Sequence, residues 1–189
     1  MSLGNTLLGL LNHGSMSGYD LKKMLDHPIG FFWVAQMSQI YRELNKLEEK
    51  GLVKSEIEPQ EKRPDRKVYQ ITKEGQETFL HWLNKFPNRL SELYRSRFLM
   101  RIFFSSRIKL EELAFEVMRY KKEIEEQLRY LSKVEQWIKD YSREKKFKED
   151  AFYWSLIVKK EYKSITAGIE WADECLQLIE QKKRKKGGN

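Results

Sequence analysis

The chain has 189 residues, of which 34% are charged and 40% hydrophobic, with a net charge of +8 and a single cysteine. That length holds one large or two small domains. The lone Cys175 excludes an internal disulfide framework and reads as a buried reduced thiol, and no apolar run approaches the ~20 residues of a membrane span. With no signal peptide visible, a cytoplasmic location is expected. A basic balance suits a nucleic-acid partner, but it is unevenly spread. Residues 1–86 carry twelve Lys/Arg against eleven Asp/Glu, and residues 87–189 carry twenty-four against seventeen. Five of the latter cations form the run Lys182 to Lys186, which reads as a frayed basic tail. The case for nucleic-acid binding therefore rests on motif order, not on total charge.

Asn5 to Asn12 carries Leu7, Leu8, Leu10 and Leu11, a short apolar helix broken by His13-Gly14-Ser15. Ser17-Gly18-Tyr19-Asp20 follows as a capping box, with Ser17 at the N-cap and Asp20 at N3. Leu21, Met24 and Leu25 continue the apolar face of this second helix, and Pro28 and Gly30 end it. Phe31-Phe32-Trp33 then lies in a loop, and three adjacent aromatics cannot share one helix face. They read either as packing against the C-terminal helices or as one wall of an aromatic ligand pocket that Trp154 could also border. In the third helix Ile40, Leu44 and Leu47 fall at i, i+4 and i+7, and Gly51 stands where a left-handed cap is wanted. Ser38, Gln39, Arg42, Asn45 and Lys46 occupy its other faces. Such side chains can bond phosphates or base edges in a major groove.

Val53, Ser55 and Ile57 alternate with Lys54, Glu56 and Glu58, the period of a half-buried strand. Tyr69 and Ile71 alternate with Val68 and Gln70 on the return strand. Pro59 to Lys67 reads as an exposed loop with Lys62, Arg63, Arg66 and Lys67 at or near the tip, diluted by Glu61 and Asp65. Thr72 caps a fourth helix from Lys73 to about Phe86, with Phe79, Leu80, Trp82 and Leu83 inward. Helix, helix, helix, strand, strand, helix is the order of a winged helix-turn-helix. In that fold Ser38, Gln39 and Arg42 would enter the groove, and Arg66 and Lys67, with Lys62 and Arg63, would meet phosphates. Tyr19, near a helix N-terminus, would reach phosphate as well.

These motifs carry a resemblance. Leu7-Leu8-Gly9-Leu10-Leu11, Met16-Ser17-Gly18-Tyr19-Asp20-Leu21, Ile40-Tyr41-Arg42-Glu43-Leu44, Leu47-Glu48-Glu49-Lys50-Gly51-Leu52-Val53 and Pro64-Asp65-Arg66-Lys67-Val68-Tyr69-Gln70-Ile71-Thr72-Lys73-Glu74-Gly75 resemble the PadR family of bacterial transcriptional regulators. The rest is similar to that family's longer subgroup, whose helical C-terminal domain is shared with the AphA-type virulence activators. The resemblance implies a winged-helix DNA reader, a helical dimerisation domain and, in some members, a small-molecule effector such as a phenolic acid. It also assigns Tyr41 to backbone phosphate, although the ring could instead pack under the wing.

Pro87 and Asn88 mark a boundary, giving a winged-helix domain at 1–86 and an all-α domain at 87–189. Leu90 to Phe104 reads as one helix, broken by Ser105-Ser106. A second runs from Lys109 to Tyr141, with Leu110, Leu113, Val117, Tyr120, Ile124, Leu131, Val134, Ile138 and Tyr141 at 3-4 spacing. The charged stretch Ser142 to Lys148 interrupts the pattern. A third helix from Glu149 to Gln181 repeats it with Tyr162, Ile165, Ile169, Ala172, Leu176 and Ile179. Two heptad-like helices read as an antiparallel coiled-coil-like pair. Leu128, Trp137, Phe152, Trp154, Leu156, Ile157 and Trp171 lie off the seam and need another surface, for which a second copy is the preferred answer. Tyr162, Ile165, Ile169 and Leu176 are the candidate dimer-interface residues. A two-fold pair of reading helices would sit ~34 Å apart and read a palindromic operator on double-stranded DNA.

No catalytic, metal or cofactor site is expected. His13, His27 and His81 show no paired ligand spacing, and no nucleophile elbow, phosphate-binding glycine loop or dinucleotide fingerprint occurs. The expected function is sequence-specific transcriptional regulation, with repression favoured because occlusion needs only binding. The alternative is a winged-helix protein-interaction module that does not bind DNA.

Overall fold

The computed structural model describes residues 3–26, 35–59, 65–87, 96–144 and 147–187. The chain divides into two units, Met1–Leu90 with Arg143–Lys148, and Ser91–Ser142 with Glu149–Asn189. In the first unit the order is α1 (Leu3–Leu11), β1 (Met16–Ser17), α2 (Gly18–Met24), α3 (Met37–Glu49), β2 (Val53–Glu58), β3 (Arg66–Ile71) and α4 (Lys73–Asn84). The periodic residues are the core. Leu7, Leu8 and Leu11, Leu21 and Leu25, Ile40 and Leu44, and Val53 and Tyr69 are almost wholly withdrawn from water. Helix α1 contacts α2, α3, α4 and β3 and so forms the hub of this core. Each such side chain stabilises the fold by ~1.5–3 kcal/mol relative to exposure.

The sheet is antiparallel with strand order β1-β3-β2. β1 is absent from the expected element order. It pairs Met16 with Tyr69 and Ser17 with Val68, which makes β3 the central strand. Val68 and Tyr69 are consequently both buried, where simple alternation puts only one of them inside. The hairpin is also more regular than expected. Arg66 and Lys67 are strand residues opposite Glu58 and Ile57, not loop residues. Ile57, expected inward, is 68% exposed, because burial along β2 fades after Ser55.

Helix α3 ends in a Schellman motif. Gly51 sits at φ +70°, its N–H donates to Glu48 O at 2.9 Å, and Leu52 N–H donates to Leu47 O at 2.9 Å. The same turn is fastened to the start of α4. Thr72 N–H donates to Leu52 O at 3.1 Å, Thr72 Oγ1 donates to Gly51 O at 2.7 Å, and that hydroxyl accepts from Gly75 N–H at 3.1 Å. A Cβ on Gly75 would lie 2.1 Å from the Leu52 carbonyl oxygen, so only glycine fits there. This approach presses one narrow face of α4 inward. Phe79, one turn on, is half-buried against Gly9, whereas Leu80, Trp82 and Leu83, all expected inward, are exposed.

The second unit comprises α5 (Arg97–Phe103), a 3-10 turn at Ser105–Arg107, α6 (Leu110–Tyr141) and most of α7 (Lys148–Gly187). The part of the expected Leu90 to Phe104 helix before Ser96 lies outside the described residues. Helix α6 buries Val117, Ile124, Leu131 and Ile138 at seven-residue spacing, with Val134 beside them. Helix α7 buries Ala151, Val158, Ile165, Ala172 and Ile179 at the same spacing. Val117, Ala172 and Ile179 form a core on which Phe98, Tyr120, Trp171, Cys175 and Leu176 pack. Cys175 is half-buried, and burial pushes its thiol pKa up, the inert end of thiol behaviour. Lys121 joins Asp173 across the two helices at 2.6 Å. The basic run is helical, where a frayed tail was expected. Helix α7 continues to Gly187, with Lys183 3.7 Å from Glu111 and Arg184 3.5 Å from Glu180.

The candidate dimer-interface residues, expected in the seam or between subunits, lie on or beside the α6–α7 seam. Ile165 is buried within the single protomer, while Tyr162, Ile169 and Leu176 are half-buried. Leu176 joins the Val117 core and the Tyr162 hydroxyl meets Ser132 Oγ at 3.0 Å, so both belong to the α6–α7 seam. The large apolar side chains left in solvent are others. They include Leu99, Met100, Phe103, Phe104, Ile108, Phe115 and Met118 near the start of this unit, and Phe152, Tyr153, Leu156 and Ile157 on α7.

Candidate nucleic-acid interface

Helix α3 is amphipathic. With Ile40, Leu44 and Leu47 turned into the core, Ser38, Gln39, Tyr41, Arg42, Asn45 and Lys46 are exposed. Arg42 makes no ion pair or hydrogen bond among the described residues, so its guanidinium is available for an incoming acceptor. Lys46 is held loosely, 3.8 Å from Glu43. Gln39 already has a task, since its Oε1 accepts from Gln36 N–H at 2.9 Å and closes the first turn of the helix. Its amide NH2 points nowhere else among the described residues and remains a possible donor.

Tyr41 packs on α2 at Gly18. A Cβ on Gly18 would come within 2.6 Å of its ring, so this close approach depends on glycine, and 41% of Tyr41 stays exposed. Tyr19, one residue on from Gly18, is exposed with Lys23 Nζ 6.0 Å above its ring. The Ser17–Asp20 capping box forms as expected. Ser17 N–H and Oγ donate to Asp20 Oδ2 at 2.9 and 2.7 Å, and Asp20 N–H donates to Ser17 Oγ at 3.2 Å.

The wing cations have intramolecular partners that the sequence analysis did not anticipate. Arg66 pairs with Asp20, the capping-box acid of α2. Lys67 Nζ donates to Glu48 Oε2 on α3 at 3.1 Å and lies 5.1 Å from the Tyr69 ring centroid. The other oxygen of Glu48 accepts from Ser55 Oγ on β2. Burial alone would raise the Asp20 pKa, but the bonds from Ser17 and Arg66 outweigh it and hold the carboxyl below its ordinary value. The Ser55 hydroxyl and Lys67 likewise lower Glu48, and Glu48 in turn raises Lys67. Lys62 and Arg63 lie outside the described residues. One signal could have flagged Glu48, namely an acid in the last turn of a helix, where the macrodipole disfavours it.

For the effector site, Phe31, Phe32 and Trp33 fall outside the described residues. Trp154 is half-buried, its ring 5.7 Å from Trp137, which stacks at 3.8 Å on Tyr141. No group of three His, Cys, Asp or Glu among the described residues could hold a metal ion.

Residues 7–80, which span this helix and wing, match the transcriptional regulator PadR-like family, and residues 94–180 match the virulence activator alpha C-terminal family. The winged-helix part of the chain is thus similar to PadR-like regulators, and the helical part to the virulence activators. Over 106 residues it is 32% identical to the negative transcriptional regulator PadR of Bacillus subtilis, covering 56% of this chain and 58% of that protein. Over 83 residues it is 37% identical to a probable transcriptional regulator of Mycobacterium tuberculosis, covering 44% of each. The chain thus spans about half the length of the curated relatives it matches. Its fold is similar to that of B. subtilis PadR solved in complex with operator DNA, at TM-score 0.79 and 25% identity over 94% of this chain and 98% of that one. The same B. subtilis protein has been solved in complex with p-coumaric acid. The Vibrio cholerae virulence activator AphA is similar at TM-score 0.74 and 25% identity, covering 95% and 99%. A PadR-like chain with an AphA-like C-terminal half is mainly helical with a small winged sheet, as the motif order implies.

Proposed function

We propose that this chain is a homodimeric, sequence-specific DNA-binding regulator that acts chiefly as a repressor by occupying a palindromic operator. The observation that carries the reading is α3 itself. One face is locked into the core, and the other presents to solvent Ser38 and an Arg42 without a partner among the described residues. B. subtilis PadR supports it, as a relative solved on operator DNA. In this reading Ser38, Arg42 and the NH2 of Gln39 contact the groove, and Tyr19, Tyr41, Arg66 and Lys67, with Lys62 and Arg63, serve phosphates. The functional division is a reading domain at 1–86 and a dimerising domain at 87–189. The exposed Phe103, Phe104 and Phe115 give the second domain its reason to pair.

A small aromatic acid is the proposed effector, by analogy with the p-coumaric acid complex of B. subtilis PadR. Phe31, Phe32, Trp33 and Trp154 remain its proposed contacts. The protein has no catalytic role in this reading and works in the cytoplasm; no described helix is long and apolar enough to cross a membrane.

Selection of bound sequences from a random duplex pool tests the proposal. A palindromic consensus should emerge, and binding should weaken steeply as salt rises. Arg42→Ala should cost ~1–3 kcal/mol at the selected site and flatten the base preference at one position of each half-site. Salt-independent or absent duplex binding would favour the protein-interaction alternative. An aromatic acid that binds the DNA-incompetent arrangement better should loosen DNA by roughly 5- to 150-fold.

A further inference from the structure

We propose that Glu48 sets the specific-to-nonspecific ratio of DNA binding, by holding Lys67 against α3 until a phosphate in the correct register takes its place. The inference rests on the DNA-binding reading above and names a positioning residue within it.

Glu48 occupies an awkward place. It lies in the last turn of α3, where free carbonyls already make the environment negative and where cations are preferred. It also belongs to the element that would approach a polyanion. A local rule broken at a functional surface asks for a compensating gain. The gain is visible in its two oxygens. Oε1 accepts from Ser55 of β2, and Oε2 accepts from Lys67 of β3 at 3.1 Å. One carboxylate therefore ties the reading helix to both wing strands. Lys46 on the same helix has only a looser partner at 3.8 Å, whereas the wing cations Arg66 and Lys67 are each tied to an acid, and only the Lys67 tie runs to α3.

The pair is open to solvent, with Lys67 exposed and Glu48 half-buried, the regime in which ion pairs are weak and exchangeable. A phosphate can displace Glu48, but only by meeting Lys67 where β3 holds it. On random sequence the protein samples many registers, and in most of them the tether keeps Lys67 from releasing a counterion. At the operator α3 is seated by its base contacts, a phosphate stands opposite Lys67, and the exchange occurs. Glu48 thus subtracts more from nonspecific than from specific affinity.

Fluorescence anisotropy on the full chain tests this, with a selected duplex and a random duplex across a salt series. Lys67→Gln should weaken the selected duplex and flatten its log–log salt slope by about 0.9, and should change the random duplex far less. Glu48→Gln keeps an acceptor for Ser55 but drops the charge. It should tighten random duplex by about 3- to 10-fold, change the selected duplex by less than about 3-fold, and steepen the random-duplex slope by up to about 0.9. Glu48→Asp keeps the charge but is too short to hold Ser55 and Lys67 together, so its selectivity should fall as well. Combined with Lys67→Gln, Glu48→Gln should have no further effect. A wild-type-like Glu48→Asp, or an undiminished Glu48→Gln effect without Lys67, would make Glu48 a mere source of field and overturn the tether. Equal tightening on both duplexes would overturn it too. Wild-type protein that binds neither duplex would instead sink the DNA reading, whereas selective wild-type binding with unselective effects of the variants would sink only the role of Glu48.

Discussion

In the winged-helix unit, core residues come from three helices and a sheet and converge on α1, and several side chains are entirely out of water. In the helical unit, burial follows a single row per long helix, seven residues apart, while Phe103 on α5 is 78% exposed. A helix among several neighbours can be covered around much of its girth, but a two-helix hairpin has one seam and open flanks. The first unit closes a core around α1 but leaves Leu80 and Leu83 of its last helix, and Phe86 just beyond it, in solvent. Its polar α3 face suits the proposed nucleic-acid partner. The second leaves more apolar surface open among the described residues, and that surface is what the proposed pairing with its own copy would cover.

The contrast can be broken at several strengths. Leu44→Ala should cost the first unit ~2–5 kcal/mol in thermal or denaturant melts, with no dependence on protein concentration. Ile165→Glu buries an unpaired carboxylate in the helical seam and should unfold that unit, a cost of several kcal/mol read as lost helical dichroism. Phe103→Glu is the sharper probe. It should leave the helicity intact and raise the dimer dissociation constant by about thirtyfold in sedimentation, the ~2 kcal/mol of an interface hot spot. A wild-type chain that sediments as a monomer at micromolar concentration would dissolve the contrast. Thr72→Ala removes a cap and its bond to Gly51 and should cost ~1 kcal/mol in the first unit alone.

The smallest effect concerns acid. The Asp20 pKa is depressed in the folded state, so its contribution is fully present above the unfolded carboxylate value and is lost as pH falls through the depressed one. Asp20→Asn should remove that acid-side loss and cost under ~1 kcal/mol at neutral pH, because the pair with Arg66 is solvent-screened. An unchanged acid limb in the Asn variant would show that the capping bonds, and not the charge, matter.

What could be read from the sequence was local. The i, i+4, i+7 row of α3, the Ser17–Asp20 box, the Gly51 stop, the Thr72 cap and the heptads of α6 and α7 each lie within a few residues, and each is present. What escaped was long-range. β1 has two residues and no signal of its own, yet it moves β3 to the centre and buries Val68. Leu80, Trp82 and Leu83 look like core by type, but the tight approach at Gly75 decides which face of α4 turns in. At the site, Arg66 and Asp20 are 46 residues apart and Lys67 and Glu48 nineteen, so the sequence showed the cations and not their partners.

The fastening of α3 to α4 has a mechanical consequence. Between Leu47 and Gly75 the chain leaves the reading helix, runs out along the wing and returns, yet the two helix ends meet through Leu52 and Thr72 with no room for even a methyl group. Such a joint has no slack. A twist applied at the Asn84 end of α4 would therefore bear directly on the C-terminal end of α3, and through it on Ser38 and Arg42. The two helices would then act as one bent lever with its fulcrum at a carbonyl, and a displacement too small to break any contact at the fulcrum would be enlarged along the length of α3.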